Sequence, residues 1–589
     1  VKLTRRLAER RDEVGATAIL VALFFSFIAL PLGAVSVDIA RLYVEIQRVQ
    51  AAADAAATAG VTFMPDDFDL AVERAREIAA DNGFPNGGTS TVQVQVGSKP
   101  TQLKVTVSSR VDNAFATTFG VPSSVMSRSA VADYNGPAPM GSPCNTFANE
   151  PPGASDRGTS ATSVLTPPPL ADCSNPQFWA NIGGPTWPKG NGDQFMTRTC
   201  SSGVDGCTGT KNDEFDPRGY FYILRVAPGA VGRSVKIELY DPAFVEVGDY
   251  CQSGPAPTSS PVNNNTWNSY TRTDAILRYK PQSEGSTNAM CTGDVMQGSV
   301  PTVTSFGLRG TTITNDPRNA PPISSCARQY PGYGLSSVTT NNIRGSGAAR
   351  TGASPNENLT KVFRQWVPFC TFVPSVAGDY YLQVRTNVAL NTSSPDGQGG
   401  YQGNMTIFTQ TGDNTSVKGD GANRYAIRAH ATGAPAGSIS VSAYERMPIY
   451  ANATGAATTF NLVRVIPAAA SKTLVFSFFD VGEGASGGTM KVVPPSDSNM
   501  GSNIPGCVGT GKVNASLVNC KISGISSAAG WNGRSQDIRV PIPANYTCTT
   551  SSPGGCWFRV EVSFGAGKPV NDSTTWTASI DGEPVRLIE

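Results

Sequence analysis

The run from Gly15 to Val37 carries no charge, and no other feature constrains this chain as tightly. Its centre, residues 18–30, reads Ala-Ile-Leu-Val-Ala-Leu-Phe-Phe-Ser-Phe-Ile-Ala-Leu. Coiled as a helix, the run reaches about 35 Å, enough for a hydrocarbon layer of about 30 Å. Pro31 lies inside it and is expected to kink rather than break it, since membrane helices tolerate proline. Lys2, Arg5, Arg6, Arg10 and Arg11 precede the run. The positive-inside rule then puts the N-terminus in the cytoplasm and everything after Val37 outside. Signal peptides have apolar regions of about 7–15 residues. This run is longer, which favours a retained transmembrane anchor, with the bilayer as its partner, over a cleaved signal.

At 589 residues the chain is too long for one core. Charged residues are 15% of it, and Gly (61) and Pro (43) are abundant. That mixture suits β-sandwiches with long polar loops more than helical bundles. Apolar residues at 39% recur in strand-like runs, which argues against disorder. A net charge of +1 gives no electrostatic footprint for nucleic acid. The 12 cysteines are Cys144, Cys173, Cys200, Cys207, Cys251, Cys291, Cys326, Cys370, Cys507, Cys520, Cys548 and Cys556, all after the apolar run. No CxxC occurs and His430 is the lone histidine, so disulfides in an oxidising space are expected rather than zinc.

The helical pattern continues past the span. Ile39, Leu42, Tyr43, Ile46, Val49 and Ala53 recur at steps of mostly three and four, an Ala-rich run covers 51–59, and Gly60 ends it. One narrow apolar stripe fits either a partner helix, including a second copy of this chain, or the chain's own domain. Asp66-Asp67-Phe68 opens a second helix and Asp81-Asn82-Gly83 closes it. Alternating strands follow at Val92–Val96 and Leu103–Val107, then Asn113-Ala114-Phe115-Ala116-Thr117-Thr118-Phe119-Gly120 and a strand ending near Ala132.

The Gly-Ala start of the span, then Asp38, Arg41, Tyr43, Val49-Gln50, Ala52 and Asp54-Ala55-Ala56-Ala57, resembles the N-terminal module of the Tad/Flp pilus-assembly TadE/TadG-like proteins. The resemblance covers roughly residues 10–135. It implies a pilin-like α+β unit, a role in assembling Tad-type surface structures or in related secretion, and pilus or secretion components as partners. Asp38, Arg41, Leu42, Tyr43, Ile46, Val49, Gln50 and Asp54 are then the candidate assembly residues. Two features depart from the family. Ala8 stands where a prepilin peptidase site would place Gly, five residues before Glu13, so that cleavage is not expected. No Asp-x-Ser-x-Ser metal motif occurs, so the von Willebrand A domain of some TadG-like proteins is not expected.

Residues 136–143 read as a Pro/Gly linker. Beyond it, RVAPGAVGRSVKIELYD at 225–241 aligns without gaps with RVIPAAASKTLVFSFFD at 464–480, an offset of 239. A looser match joins 378–384 to 555–560. These repeats predict two related β-sandwich domains, 144–390 and 391–589. The expected order is therefore a cytoplasmic basic segment (1–14), a transmembrane helix (15–37), a TadG-like module (38–135), the linker and the two sandwiches: an α+β chain that is mainly β. Pairing of Cys200 with Cys207, Cys507 with Cys520 and Cys548 with Cys556 fits this layout.

Motifs for chemistry are sparse. His430 would have to serve any Ser–His triad, yet no oriented partners accompany it. Gly484-Ala485-Ser486-Gly487-Gly488 lacks the strand-to-helix setting and the later His of a nucleophile elbow. Gly506 to Lys512 approaches a phosphate loop, but Val513 replaces its Ser/Thr. Asp241, Asp249, Asp480 and Glu483 suit turns first, and calcium ligation or acid–base work second. Trp179 to Trp187 and Trp267 to Tyr270 would suit sugar binding if exposed. The expectation is a non-enzymatic, membrane-anchored component of a Tad/Flp-type assembly or secretion system, without a cofactor or a resident metal. The alternative is a surface adhesin or glycan-binding protein on a pilin-like anchor.

Overall fold

The computed structural model describes residues 17–64, 68–98, 102–134, 139–141, 145–148, 178–246, 294–312, 316–334, 355–362, 366–409, 412–435, 437–452, 457–482, 485–550, 554–565, 570–581 and 585–587. They divide into two compact units, one of residues 1–136 with 583–589, the other of residues 137–582. One long apolar helix followed by several sheets makes the chain α+β and mainly β, with sandwich architecture.

The first unit begins with the long helix Thr17–Phe63. Its turn Phe25–Ala29 is π-helical, just before Pro31. Proline has no N–H for the carbonyl four residues back, and a widened turn absorbs that defect. The helix proper ends at Gly60. A Cβ there would lie 2.7 Å from the Ala71 carbonyl oxygen and 2.7 Å from Leu103 Cδ2, so only glycine lets the second helix come so close. That second helix, Phe68–Asp81, buries Ala71, Ala75 and Ala79 at a spacing of four. Gly83 at φ 91° ends it, with Phe84 N–H donating to Ala79 O and Gly83 N–H to Ala80 O, a complete Schellman motif. Asp66 and Asp67, the expected caps, lie outside the described residues.

Three antiparallel strands follow: β1 (Ser90–Val96), β2 (Gln102–Asp112) and β3 (Ser123–Tyr134). Alternation sets their faces. Leu103, Val105 and Val107 are fully buried beside Val49, Ala52, Ala53, Ala56 and Ala57 of the long helix. Each of the buried Leu and Val side chains contributes roughly 1.5–3 kcal/mol, and each alanine methyl under about 1 kcal/mol. The fourth strand of this sheet comes from the far end of the chain: Val585–Leu587 pairs antiparallel with β3, Val585 opposite Tyr134. The second unit is thus inserted at the tip of a hairpin. The expected domain 391–589 therefore gives up its last strand to the module.

In the second unit a 12-stranded sheet faces a six-stranded and a four-stranded sheet. The two repeats build equivalent corners. Tyr220–Val226 and Ala457–Arg464 lie in the six- and four-stranded sheets respectively. A 3₁₀ turn, Pro228–Ala230 or Pro467–Ala469, carries each chain over to Val235–Tyr240 or Thr473–Phe479 in the large sheet. The looser repeat pairs with the matching strand in each copy, but one residue out of register. Tyr380 stands opposite Leu224, whereas its counterpart Trp557 stands opposite Arg464 and Phe558 opposite Val463, next to a register shift between Asn461 and Val463.

The division expected at 390/391 does not match the pairing. Gly421–Ala431 pairs with Val235–Tyr240, and Ile439–Ala443 with Tyr220–Val226, both strands of the first half. Phe178–Gly183 joins the halves by pairing with Gly421–Ala431 on one side and Arg446–Asn452 on the other. One contiguous core results. The expected linker also enters it. Met140 is fully buried and bridges to Ala443 and Val463, because it is the one large apolar side chain in a run of Pro and Gly.

Four disulfides are described: Cys200–Cys207, Cys326–Cys370, Cys507–Cys520 and Cys548–Cys556. Three join the pairs expected from spacing. The other ties strand Pro322–Tyr330 of the six-stranded sheet to Trp366–Phe372 of the large one. Cys144, Cys173, Cys251 and Cys291 lie outside the described residues.

Candidate assembly surface on the long helix

The candidate residues sort onto two sides of the helix. Asp38, Glu45 and Ala52 are seven apart and share the side that meets the module. Asp38 is 3% exposed and accepts N–H bonds from Ala114 (2.9 Å), Phe115 (2.8 Å) and Ala116 (2.7 Å). These cap the 3₁₀ turn Ala116–Phe119. The Ala116 N–H does most to hold the Asp38 carboxyl below the usual carboxylate range. Burial opposes it, while the Phe115 and Ala114 amides and the Arg41 charge reinforce it. Glu45 Oε1 accepts from Ser109 Oγ at 2.8 Å on β2. Its spacing from Asp38 was the available signal for Glu45, which the sequence reading did not single out.

Val49 is fully buried, and Leu42 and Ile46 are half-buried. This part of the stripe is spent on the chain's own module. Gln50 and Asp54 are half-buried and bond to one another, Nε2 to Oδ1 at 2.8 Å, one helical turn apart. Arg41 is exposed, 3.9 Å from Asp38. Tyr43 is 65% exposed, as are Ile39 at 60% and Val44 at 59%. The stripe therefore divides into an inward seam and an outward apolar set. Below it, Ile19, Leu20, Val21, Leu23, Phe24, Phe25, Phe27 and Ile28 are all exposed, a continuous apolar sleeve that water would not favour.

The other candidates do not assemble a reaction centre. His430 is half-buried opposite Lys236, and burial lowers its pKa. Ser486 opens the strand Ser486–Val493 instead of a helix, and Gly484 lies outside the described residues. Within Gly506 to Lys512, Cys507–Gly511 is a strand stapled by a disulfide, not a phosphate loop. Asp241 and Asp480 both adopt left-handed backbone, φ 51° and 62°, at the ends of equivalent strands. Asp480 Oδ1 accepts from Gly533 N–H at 2.6 Å. Such conformations are those of turns. Asp249 and Glu483 lie outside the described residues, and among those described no cluster of three or more metal-ligand side chains occurs. Trp179 and Trp187 are buried, so neither offers a face to a sugar; Trp267 to Tyr270 lie outside the described residues.

Residues 15–66 match the family "Putative Flp pilus-assembly TadE/G-like". The match spans the apolar run, Asp38 and the buried alanines of the long helix, and ends before the Ala114–Ala116 amides that Asp38 holds. No curated protein matches the chain.

Proposed function

We propose that this chain is a non-enzymatic, membrane-anchored component of a Tad/Flp-type pilus assembly or secretion system, with residues 137–582 carried outside the cell. One observation carries the reading. The segment that matches the pilus-assembly family is a single helix, with an exposed apolar sleeve at one end and a packed pilin-like module at the other. A sleeve of that length in a bilayer anchors the module at the membrane surface. The five basic residues before Gly15 support an N-terminus in the cytoplasm. Pilus components and a second copy of this chain are the partners that Ile39, Tyr43 and Val44 would meet.

The hairpin connection between β3 and Val585–Leu587 suggests the experiment. Cells lacking the chain are compared with cells carrying either the full chain or a variant with a short turn in place of residues 137–582. Loss of pili or secretion on deletion, restored by the full chain, is expected. Normal pili without the chain, together with lost surface attachment, would sink this reading and favour the adhesin.

A further inference from the structure

We infer that the turn Phe115–Val121 is a second membrane contact, an interfacial foot that lies in the headgroup layer beside the anchor helix. This rests on residues 15–37 spanning the bilayer.

The level of the turn follows from Asp38. The uncharged run ends at Val37, so the next residue stands where the helix leaves the hydrocarbon. Asp38 holds the amides of Ala114, Phe115 and Ala116 at 2.7–2.9 Å, which pins the start of the turn at that height. Four residues of 3₁₀ helix extend only about 8 Å. The headgroup layer beyond the hydrocarbon is about 5–8 Å deep on each side. The turn therefore stays within reach of lipid along its whole length.

Its composition is wrong for water. Phe115 is 43% exposed, Phe119 62% and Val121 48%, with Val125 at 64% where β3 begins. Phe side chains on an interfacial segment insert at the boundary between headgroups and acyl chains. Arg41 and Arg110 are exposed at the same end of the module, where anionic headgroups would meet them; Asp112 is exposed there too. The turn is also stiff, so exposure does not reflect a loose loop. Asn113 Nδ2 donates to Val121 O at 3.0 Å and to Ser124 Oγ at 3.1 Å, and Thr117 Oγ1 donates to Asn113 O at 2.8 Å. Gly120, at φ 84°, closes the turn by donating to Thr117 O at 3.1 Å. A clasped turn that presents aromatic side chains outward at the bilayer surface is what a membrane foot requires.

The test uses the full chain in vesicles of phosphatidylcholine and phosphatidylglycerol, with a nitroxide on one introduced cysteine and the parent chain as background. Leu23→Cys reports on the span, Phe119→Cys on the foot, and Ser127→Cys on β3 beyond it. Ser127 pairs with Ser108, next to the residue that bonds Glu45, about 10 Å further along the helix than Asp38. At 23, collisions with oxygen are expected to exceed those with a water-soluble nickel complex several-fold; at 127 the order reverses, and at 119 the ratio falls between the two, clearly above that at 127. Lipid at 23 with water at 119 overturns the foot and leaves the anchor standing. Water at 23 overturns both. Low collision with both reagents at 119 means that protein covers the turn, which also overturns it.

Discussion

The two repeats build the same corner and brace it differently. Arg225 and Arg464 occupy one position in the alignment, but Arg225 reaches into the neighbouring strand Gly378–Arg385 while Arg464 reaches the segment just before Trp557–Ser563. Arg225 forks onto Asp379, Nε–Oδ1 2.8 Å and Nη2–Oδ2 3.0 Å. Arg464 donates to main-chain carbonyls instead, Gly555 at 3.2 Å and Thr550 at 2.8 Å. Further along, Glu238 in the first copy is Ser477 in the second. Glu238 is fully buried with Arg428, Oε2–Nη2 2.8 Å, and the guanidinium lies 4.0 Å over Trp366. The staples differ too: Cys326–Cys370 crosses between sheets, while Cys507–Cys520 and Cys548–Cys556 are local. The strand–turn–strand corner is thus the shared frame, and the polar and covalent bracing belongs to each copy separately.

The sharpest way to break that equivalence is at Glu238. Glu238→Leu removes the buried carboxylate that pairs with both Arg428 and Lys236, which should cost about 3–5 kcal/mol. Ser477→Ala at the matching position should cost less than about 1 kcal/mol. Urea unfolding of both variants measures the gap, and equal losses would show that the buried pair is not what distinguishes the copies.

The staples come next. Cys326–Cys370 closes a loop of 44 residues and Cys507–Cys520 one of 13. Chain entropy alone gives about 4 kcal/mol for the first and about 3 kcal/mol for the second. Replacing each pair by alanine should therefore lower the urea midpoint more for Cys326/Cys370. A larger loss at Cys507/Cys520 would mean that strain, not loop length, governs these bonds.

Local patterns in the sequence carried much of this architecture. The uncharged run announced the long apolar helix, the alternation of Leu103, Val105 and Val107 announced β2, and the repeat announced the two corners. Spacing also suggested the three short disulfides. What stayed hidden depends on distant pairing. Nothing near Asp38 points to amides at 114–116, and nothing near Cys326 points to Cys370. Strand Gly421–Ala431 carries no mark sending it back to the first half, and Val585–Leu587 none sending it to β3. The apolar stripe on the long helix was legible as a stripe. Its division was not, because a packed Leu42 and an exposed Tyr43 look alike until the module is in place.

The first corner also has an acid clamp near it. Asp216 accepts from Arg218 Nε (2.8 Å) and Nη2 (2.9 Å), and pairs with Arg446. Burial raises its pKa, but Arg218 and Arg446 outweigh that and bring it down to about 2. A depressed carboxylate stabilises the fold above its unfolded pKa, and that stability fades as pH falls through the folded value. Asp216 should therefore contribute about 2 kcal/mol above pH ~4, lost progressively toward pH ~2. Asp216→Asn should flatten this part of the acid-stability curve, read by circular dichroism against pH. An unchanged slope would place the acid sensitivity elsewhere.

The smallest effect bears most directly on the shared arginine. The Arg225 side chain is 30% exposed and Asp379 19%, so solvent and salt reach the pair. Such a bridge contributes about 0–1 kcal/mol, and its Coulomb part weakens as salt rises. Arg464 donates to carbonyl oxygens, whose partial charge is screened far less. Arg225→Ala should then destabilise by under about 1 kcal/mol at low salt and by less at high salt. Arg464→Ala should lose a similar amount that salt hardly changes. Thermal unfolding of both variants across a salt series separates them. If both losses fade together with salt, the two arginines brace their corners by the same physics, and the difference between the copies narrows to Glu238 and the staples.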